Sequence, residues 1–385
     1  MKIIVAADSF KGNMSAEAVC DAIKTGILRA DAYAAVSVIP LADGGEGTAR
    51  AITRSANGRF IKTPVTGPLG DAIEAEFGFI ETSRPVAVLD MASASGMELI
   101  EKNRLDPMKA TSYGTGELIT AALDAGAQEL IIGIGGSATC DGGLGMLTAL
   151  GFRALDENGR PVGQGGSALT RIASFDKSGA DKRLMNISVT VACDVTNPLL
   201  GPTGASAVFG PQKGATPGMV KILDAGLAKL AEAWIRAGMA QDTEQPGDGA
   251  AGGVGAALRI CLGAGLESGA MLVMQYARFF DELRDADLVI TGEGMTDGQT
   301  AGGKLCSVVA RECRKAGIPV ALLSGSLGGK VTELFLSYDY AVSAACGQIG
   351  LEAMIADSKR DLGFAAENLI RAIQMGKKAA GKTCG

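Results

Sequence analysis

The sequence predicts an α/β fold with two dissimilar domains, and two observations support this prediction. Short apolar, strand-like runs alternate with helix-like segments near both ends of the chain, which is typical of parallel α/β architecture. Between them, residues 59–90 contain shorter extended runs broken by turn signals, which indicate antiparallel or mixed sheet. The length of 385 residues is sufficient for two domains. We therefore predict a doubly wound parallel-sheet domain, flavodoxin- or Rossmann-like, formed by both chain ends, with an inserted mixed-sheet α/β domain.

The elements of the doubly wound domain follow in order along the two ends of the chain. Residues 2–8 form a first apolar strand, and a helix follows from about Ser15, its N-cap, to about Leu28. The other predicted elements are strands over 35–43, 318–326 and 338–345, a strand with its following loop over 285–294, and helices over 303–317 and roughly 364–380. We place the domains at 1–60 with 285–385 and at 61–284, and expect the active site in the cleft between them.

The inserted segment contains its own strands and helices. An apolar run over 128–136 ends in glycines and introduces the helix GLGMLTALGF. DENGRP, at 156–161, is a predicted hairpin turn, and the strand over 186–195 ends near Asp194, beside a Gly/Pro-rich loop. A helix with apolar residues at helical spacing follows from Met219 to about Ala237.

Charge and hydropathy exclude several classes of protein. The chain has 36 Lys+Arg against 42 Asp+Glu, and its net charge of −6 argues against general binding to nucleic acids or anionic membranes. No run approaches the roughly 18 apolar residues of a membrane span, and the first apolar run is too short for a signal peptide. We therefore expect a cytoplasmic protein without a nucleic-acid or membrane partner.

Three residue types narrow the chemistry further. Histidine is absent, which excludes a Ser-His-Asp triad, a Cys-His pair and a His-ligated metal. The 8 cysteines include no C-x-x-C pair, so we expect reduced thiols rather than a disulfide framework or a thiolate metal site. The 55 glycines cluster at the ends of strand-like runs, where tight turns let backbone N–H groups approach a ligand.

Acidic, basic and glycine residues recur in the loops that follow several predicted strands. In open α/β sheets, ligands bind beyond the carboxyl ends of the strands. The loops are DSFKG (8–12), ADGGEG (42–47), GGSATCDGG (135–143), ACD (192–194) and TGEGMTD (291–297). A strand-end Asp can instead cap the next helix, and glycines after a strand can serve only close packing. Together, however, carboxylates for Mg²⁺, lysines for phosphate and glycine loops are what a phosphoryl-transfer site needs.

These motifs resemble those of the bacterial type I glycerate kinases. The resemblance rests, in chain order, on AADSFKG, PLADGGEGT, GIGGSATCDGGLGMLTALG, ACDVTNPLLGPTGAS with FGPQKGAT, GDGAAGGVGAAL and TGEGMTDGQTAGGK. It extends from residue 3 into the last predicted helix. It implies ATP-dependent phosphorylation of D-glycerate with Mg²⁺ by two dissimilar α/β domains. It favours 2-phosphoglycerate as the product over 3-phosphoglycerate, and leaves open whether the enzyme is a monomer or a homodimer.

Residue type and loop position predict a role for each polar residue in these loops. Asp194 is the first choice for the base that accepts the proton of the glycerate hydroxyl, followed by Asp297 and Asp8. The predicted catalytic residues are Asp194, Asp297 and Lys11, and the predicted substrate-binding residues are Asp8, Ser9, Lys11 and Gly12. The predicted ATP-binding residues are Gly135, Gly136, Ser137, Gly142, Gln212, Lys213 and Lys304. The predicted Mg²⁺ ligands are Asp43, Glu293 and Asp297.

Two other functions are compatible with an α/β chain of this kind. A nicotinamide-dependent oxidoreductase acting on small hydroxy acids would need a dinucleotide fingerprint, and DSFKG is a poor one. A sensor that closes on a sugar acid would need neither the carboxylates nor the extra lysines. The kinase is therefore the function that the motifs favour.

Overall fold

The computed structural model describes residues 1–10, 12–42, 44–45, 47–296, 305–328, 331–346 and 350–380. The described strands are β1 (Lys2–Val5), β2 (Ala35–Val38), β3 (Arg59–Thr66), β4 (Ala72–Ile80), β5 (Val86–Asp90), β6 (Glu129–Gly133), β7 (Arg153–Leu155), β8 (Ser174–Asp176), β9 (Ser188–Ala192), β10 (Gly265–Glu267), β11 (Leu288–Thr291), β12 (Met295–Thr296), β13 (Val320–Ser324), β14 (Ser326–Leu327) and β15 (Tyr340–Ser343). The described α-helices are α1 (Ala16–Ala30), α2 (Thr48–Ser55), α3 (Ala92–Ser95), α4 (Tyr113–Asp124), α5 (Leu144–Ala149), α6 (Ala205–Phe209), α7 (Pro217–Arg236), α8 (Val254–Leu262), α9 (Gly269–Tyr276), α10 (Phe279–Leu283), α11 (Leu305–Ala316) and α12 (Leu351–Ala380). None of the helices within these ranges is both long enough and apolar enough to cross a membrane.

The chain forms two compact units, and the predicted α/β class with a parallel and a separate mixed sheet is confirmed. The first unit combines Met1–Asp43 with Val273–Gly385, and the second is Gly44–Leu272. The predicted boundaries differ from this division, because they assigned residues 44–60 to the first unit and residues 273–284 to the second.

The first unit is built on a five-stranded sheet in the order β2-β1-β11-β13-β15, in which every neighbouring pair is parallel. Numbered along the unit, this is the 2-1-3-4-5 order of flavodoxin-like folds, whose ligands bind where the strand order reverses. Here that point lies at the carboxyl ends of β1 and β11. The buried strand faces and helices α1 and α12 form one apolar core, which includes Ile3, Val5, Ile23, Ile290 and Leu323.

The second unit contains a six-stranded mixed sheet in the order β3-β4-β5-β6-β9-β10. The pairs β3–β4 and β4–β5 are antiparallel, which confirms the prediction for residues 59–90, and the remaining three pairs are parallel. Asp90 pairs with Gly133, Gly133 with Ala192, and Ala192 with Glu267, so four carboxyl ends lie side by side. The core of this unit includes the fully buried Trp234 and Phe77.

The sequence predicted the start of one helix correctly and the start of another incorrectly. Ser15 caps α1 as predicted, since its side chain accepts a hydrogen bond from the Ala18 N–H at 3.3 Å. In contrast, α12 begins at Leu351, well before the predicted residue 364. Gly363 does not stop this helix; it lies where α12 crosses α1, and a Cβ on Gly26 would meet its carbonyl oxygen. The predicted strand over 35–43 shortens to β2, although the N–H groups of Ile39 and Leu41 still donate to the carbonyl oxygens of Val5 and Ala7, at 2.8 and 3.0 Å.

Candidate active site

At the carboxyl edge of the five-stranded sheet, the structure brings together two of the predicted carboxylates. The Asp8 N–H, just after β1, donates to the Gly292 carbonyl oxygen at 2.9 Å, so Asp8 lies beside the start of the Glu293 loop. Asp8 is 7% exposed, and its Oδ1 accepts a hydrogen bond from the Ser9 N–H at 2.6 Å. Glu293 is half-buried, and its Oε1 accepts one from Thr296 Oγ1 at 2.9 Å. The two carboxylates therefore belong to the switch point where this fold class binds ligands.

The buried carboxylate of Asp90 organises the start of α2, and sequence reasoning did not select it. Asp90 ends β5, and its two oxygens accept hydrogen bonds from the N–H groups of Gly47 and Ala49, each at 2.9 Å. These N–H groups would otherwise lack partners at the helix N-terminus. The sequence contains the same signal here as at the predicted site residues. VAVLD is an apolar run that ends in Asp90, just as other apolar runs end in Asp8 and Asp43.

Beyond β6, the chain makes a turn that exposes Gly136 at the carboxyl edge of the mixed sheet. Gly136 has a φ of 75°, a backbone conformation that favours glycine. Two hydrogen bonds to the segment after β5 fix the turn: Met97 N–H to the Gly136 carbonyl oxygen and Ala138 N–H to the Ser95 carbonyl oxygen, both at 2.9 Å. Gly135 is half-buried, and its N–H lies 3.4 Å from the Gly44 carbonyl oxygen.

Lys213 lies directly behind this turn, with its side chain buried. It is 2% exposed, and its Nζ donates to Ser137 Oγ at 2.8 Å and to the Thr139 carbonyl oxygen at 2.7 Å. Burial lowers the pKa of the Lys213 ammonium, while Cys140 and Asp141 act in the opposite direction. Lys213 therefore supports the turn from the interior, and its predicted role as an ATP-binding residue stays a prediction.

Asp141 and Gly142 are part of the packing around α5. The fully buried Asp141 carboxylate accepts hydrogen bonds from Ser112 N–H and Oγ and from the N–H groups of Gly143 and Gly145, at 2.8–3.1 Å. Burial raises the pKa of this carboxyl, and the four hydrogen bonds offset part of the rise. The Gly142 N–H donates to the Gly252 carbonyl oxygen at 3.0 Å, within the GDGAAGG motif. The Gly142 N–H, one of the predicted phosphate ligands, therefore already has a backbone acceptor.

Asp194 follows β9 and lies at the start of α9. It is half-buried, and its Oδ2 is 3.4 Å from the Ala270 N–H, a long hydrogen bond at the helix N-terminus. Burial raises the pKa of its neighbour Cys193 to about 11, so this thiol is protonated at neutral pH. The half-buried carboxylate of Asp194 therefore has some access to solvent and lies next in the chain to an uncharged thiol, that of Cys193.

The other predicted site residues are either exposed or outside the described ranges. Gln212 is exposed on a short 3₁₀ turn, and Gly12 is exposed with a φ of 73°. Lys11, Asp43, Asp297 and Lys304 lie outside the described residues, so their predicted roles stay predictions. No group of three or more Cys, Asp or Glu side chains suited to a metal ion occurs within the described ranges.

A cavity of about 300 Å³ lies at the opposite, amino end of the five-stranded sheet. It is next to the first residue of β13 and is lined in part by Arg314, Phe335, Tyr338 and Asp339. Ligands of doubly wound sheets bind at the carboxyl ends of the strands, so this cavity is not part of the candidate site.

Comparisons with known proteins extend over nearly the whole chain. A model of the glycerate kinase family matches residues 3–374. The glycerate kinase of Bacillus subtilis (strain 168) is 44% identical over 378 residues, which cover 98% of this chain and 99% of the relative. The glycerate 2-kinase of Escherichia coli (strain K12) is 42% identical over 382 residues, which cover 99% of this chain and 100% of the relative. A crystal structure described as a candidate glycerate kinase 2 from Salmonella typhimurium LT2 superposes with a TM-score of 0.85 at 43% identity, covering 98% of this chain and 99% of that one.

Proposed function

The chain is an enzyme of the glycerate kinase family, and from this premise we propose that it transfers the γ-phosphoryl group of ATP to a hydroxyl group of D-glycerate. We propose 2-phosphoglycerate as the product, with 3-phosphoglycerate as the alternative. The observation that carries the proposal is the family match over residues 3–374, since every loop at a strand carboxyl end falls within it.

We propose that the nucleotide phosphates bind at the turn after β6. Gly136 is exposed there, and its N–H group has no acceptor in the part of the chain that the structure describes. Adjacent backbone N–H groups in a tight turn form a concave site for an anion. Gln212 and Lys304 stay proposed as additional phosphate contacts on the basis of residue type alone.

We propose that the loop after β1 binds glycerate. Ser9 is half-buried and Gly12 is exposed in this loop, and the Lys11 side chain would supply the cation for the glycerate carboxylate. Asp8 accepts a hydrogen bond from the Ser9 N–H, which orients the first residue of the loop.

The described residues include one carboxylate that suits Mg²⁺, that of Glu293. Mg²⁺ prefers carboxylate oxygens, and the hydrogen bond from Thr296 to Glu293 Oε1 orients such a carboxylate at the edge of the sheet. Glu293 would hold the ion together with Asp43 and Asp297, which lie outside the described residues. When bound, Mg²⁺ would supply positive charge against the β- and γ-phosphates.

We propose Asp194 as the base that accepts the hydroxyl proton of glycerate. Asp194→Asn should lower kcat by about 10²–10⁴-fold, the usual range for general acid–base catalysis, with little change in the KM for glycerate. Asp156→Asn, in the hairpin turn at 156–161, is the matched control and should keep full activity. If Asp194→Asn keeps its kcat but unfolds at a lower urea concentration, Asp194 is only a cap for α9.

The activity itself is tested with the purified chain, MgATP and D-glycerate. We expect glycerate-dependent release of ADP, which EDTA abolishes. Adding enolase alone distinguishes the products, because enolase converts 2-phosphoglycerate and not 3-phosphoglycerate. Glycerate binding without release of ADP would indicate a sensor, and glycerate-dependent reduction of NAD⁺ or NADP⁺ would indicate an oxidoreductase.

A further inference from the structure

Lys213 places its side-chain amine where no carboxylate of the described residues pairs with it. Its side chain is 2% exposed, and both of its hydrogen-bond acceptors, Ser137 Oγ and the Thr139 carbonyl oxygen, are uncharged. It forms no ion pair with any residue that the structure describes. Burying an ammonium group without a counter-charge costs free energy, because the solvation of the ion is lost.

The carboxylate that acts on Lys213 through space already accepts hydrogen bonds from other groups. Asp141 raises the pKa of Lys213 through space, but its own oxygens accept four hydrogen bonds from Ser112, Gly143 and Gly145. Cys140, which also affects Lys213, is a buried thiol whose own pKa is raised by burial, so it supplies no negative charge at neutral pH. Burial accordingly lowers the pKa of Lys213 below its usual value.

The amine of Lys213 lies behind the exposed part of the turn. Lys213 contacts Ser137 and Thr139 from the interior, whereas Gly136 faces solvent next to Ser137. An anion bound at the exposed Gly136, next to Ser137, would therefore have the buried amine of Lys213 behind it. Charges separated by protein interior interact more strongly than charges separated by water.

We propose that Lys213 is a positioning residue that compensates the charge of nucleotide phosphate bound at Gly136 and Ser137, acting through Ser137 and through space rather than by direct contact. The inference rests on the proposed function, because it assigns the anion to ATP. It refines the prediction from the sequence, in which Lys213 is an ATP-binding residue that neutralises the transferring phosphate group. On this proposal, the phosphate groups of the bound nucleotide supply the negative charge that the described residues do not place beside Lys213.

The test is calorimetric titration of the full-length protein with three probes: adenosine, ADP and a non-hydrolysable ATP analogue. Lys213→Met should weaken binding of the ATP analogue by about 10- to 100-fold, the loss expected for an interaction with a charged group. The loss should be smaller for ADP and absent for adenosine, because the interaction scales with phosphate charge. Lys229→Met is the matched control: Lys229 also donates to a backbone carbonyl, that of Thr170, but lies on an exposed helix face.

Ser137→Ala is the second variant and decides the question if Lys213→Met does not fold. It removes the hydroxyl between Lys213 and the phosphate, and should weaken the ATP analogue about 3- to 10-fold without affecting adenosine. Unchanged affinity for the ATP analogue in either folded variant overturns the inference, as does an equal loss for all three probes. If the wild-type protein binds no nucleotide, the proposed function fails as well; if it does bind, only the role of Lys213 is in question.

Discussion

The buried carboxylate of Asp141 allows a quantitative test of how the loop after β6 is held. In Asp141→Asn, the side-chain oxygen can replace only one of the two carboxylate oxygens. The asparagine amide loses fewer hydrogen bonds when its oxygen takes the Oδ2 position. There it still accepts hydrogen bonds from the Ser112 N–H and hydroxyl and from the Gly145 N–H. The new NH₂ group then faces the Gly143 N–H, which lies 3.0 Å from Oδ1 in the wild type.

The expected loss follows from this geometry. A buried donor left without an acceptor costs about 1–3 kcal/mol, and the hydrogen bonds that remain lose their charge assistance. Removing a fully buried charge recovers part of that cost. We therefore expect Asp141→Asn to lower the free energy of unfolding by about 2 kcal/mol. With a urea dependence of about 2–3 kcal/mol per M, the midpoint should fall by about 0.7–1 M.

Trp234 provides the assay. It is the only tryptophan in the chain, is fully buried, and belongs to the core of the second unit, the unit that contains Asp141. Its fluorescence therefore reports the unfolding of that unit during urea titration. Asp156→Asn is the control, because Asp156 accepts hydrogen bonds from the N–H groups of Asn158 and Arg160 near the surface. A midpoint for Asp141→Asn equal to that of the control would refute the reasoning.

Two further predictions concern packing and thiol reactivity. Gly142→Ala should destabilise the protein by about 2–4 kcal/mol, since φ is 62° and the new Cβ would lie 2.5 Å from Leu230 Cδ2. Gly12→Ala, also at positive φ but with no atom within 4 Å, should cost only about 1 kcal/mol, and urea midpoints compare the two. Because the pKa of Cys193 is raised to about 11, its thiolate fraction and its alkylation by iodoacetamide should rise about tenfold per pH unit from pH 7 to 10, as followed by mass spectrometry. A rate that levels off near pH 9 would contradict the raised pKa.

The sequence alone determined the fold class and the main elements, because these depend on local patterns. Alternating apolar runs and helical segments predicted parallel α/β architecture, and the turn-rich stretch at 59–90 predicted the antiparallel part of the mixed sheet. Ser15 was identified as a cap because capping involves residues only three positions apart. Motifs in the strand-end loops also identified the family, which the whole-chain match confirms.

Only the tertiary structure decided which of the candidate residues are exposed and which are buried among hydrogen-bond partners that support the fold. Lys213 and Ser137 are 76 residues apart in the chain, and no local pattern indicates that the buried Lys213 amine donates a hydrogen bond to Ser137. The same holds for Asp141 with Ser112, for Asp90 with Gly47, and for Asp8 with Gly292. Strand order and loop packing bring these residues together. Sequence spacing identifies residues with suitable chemistry at strand ends, whereas their burial and hydrogen-bond partners depend on contacts between distant segments.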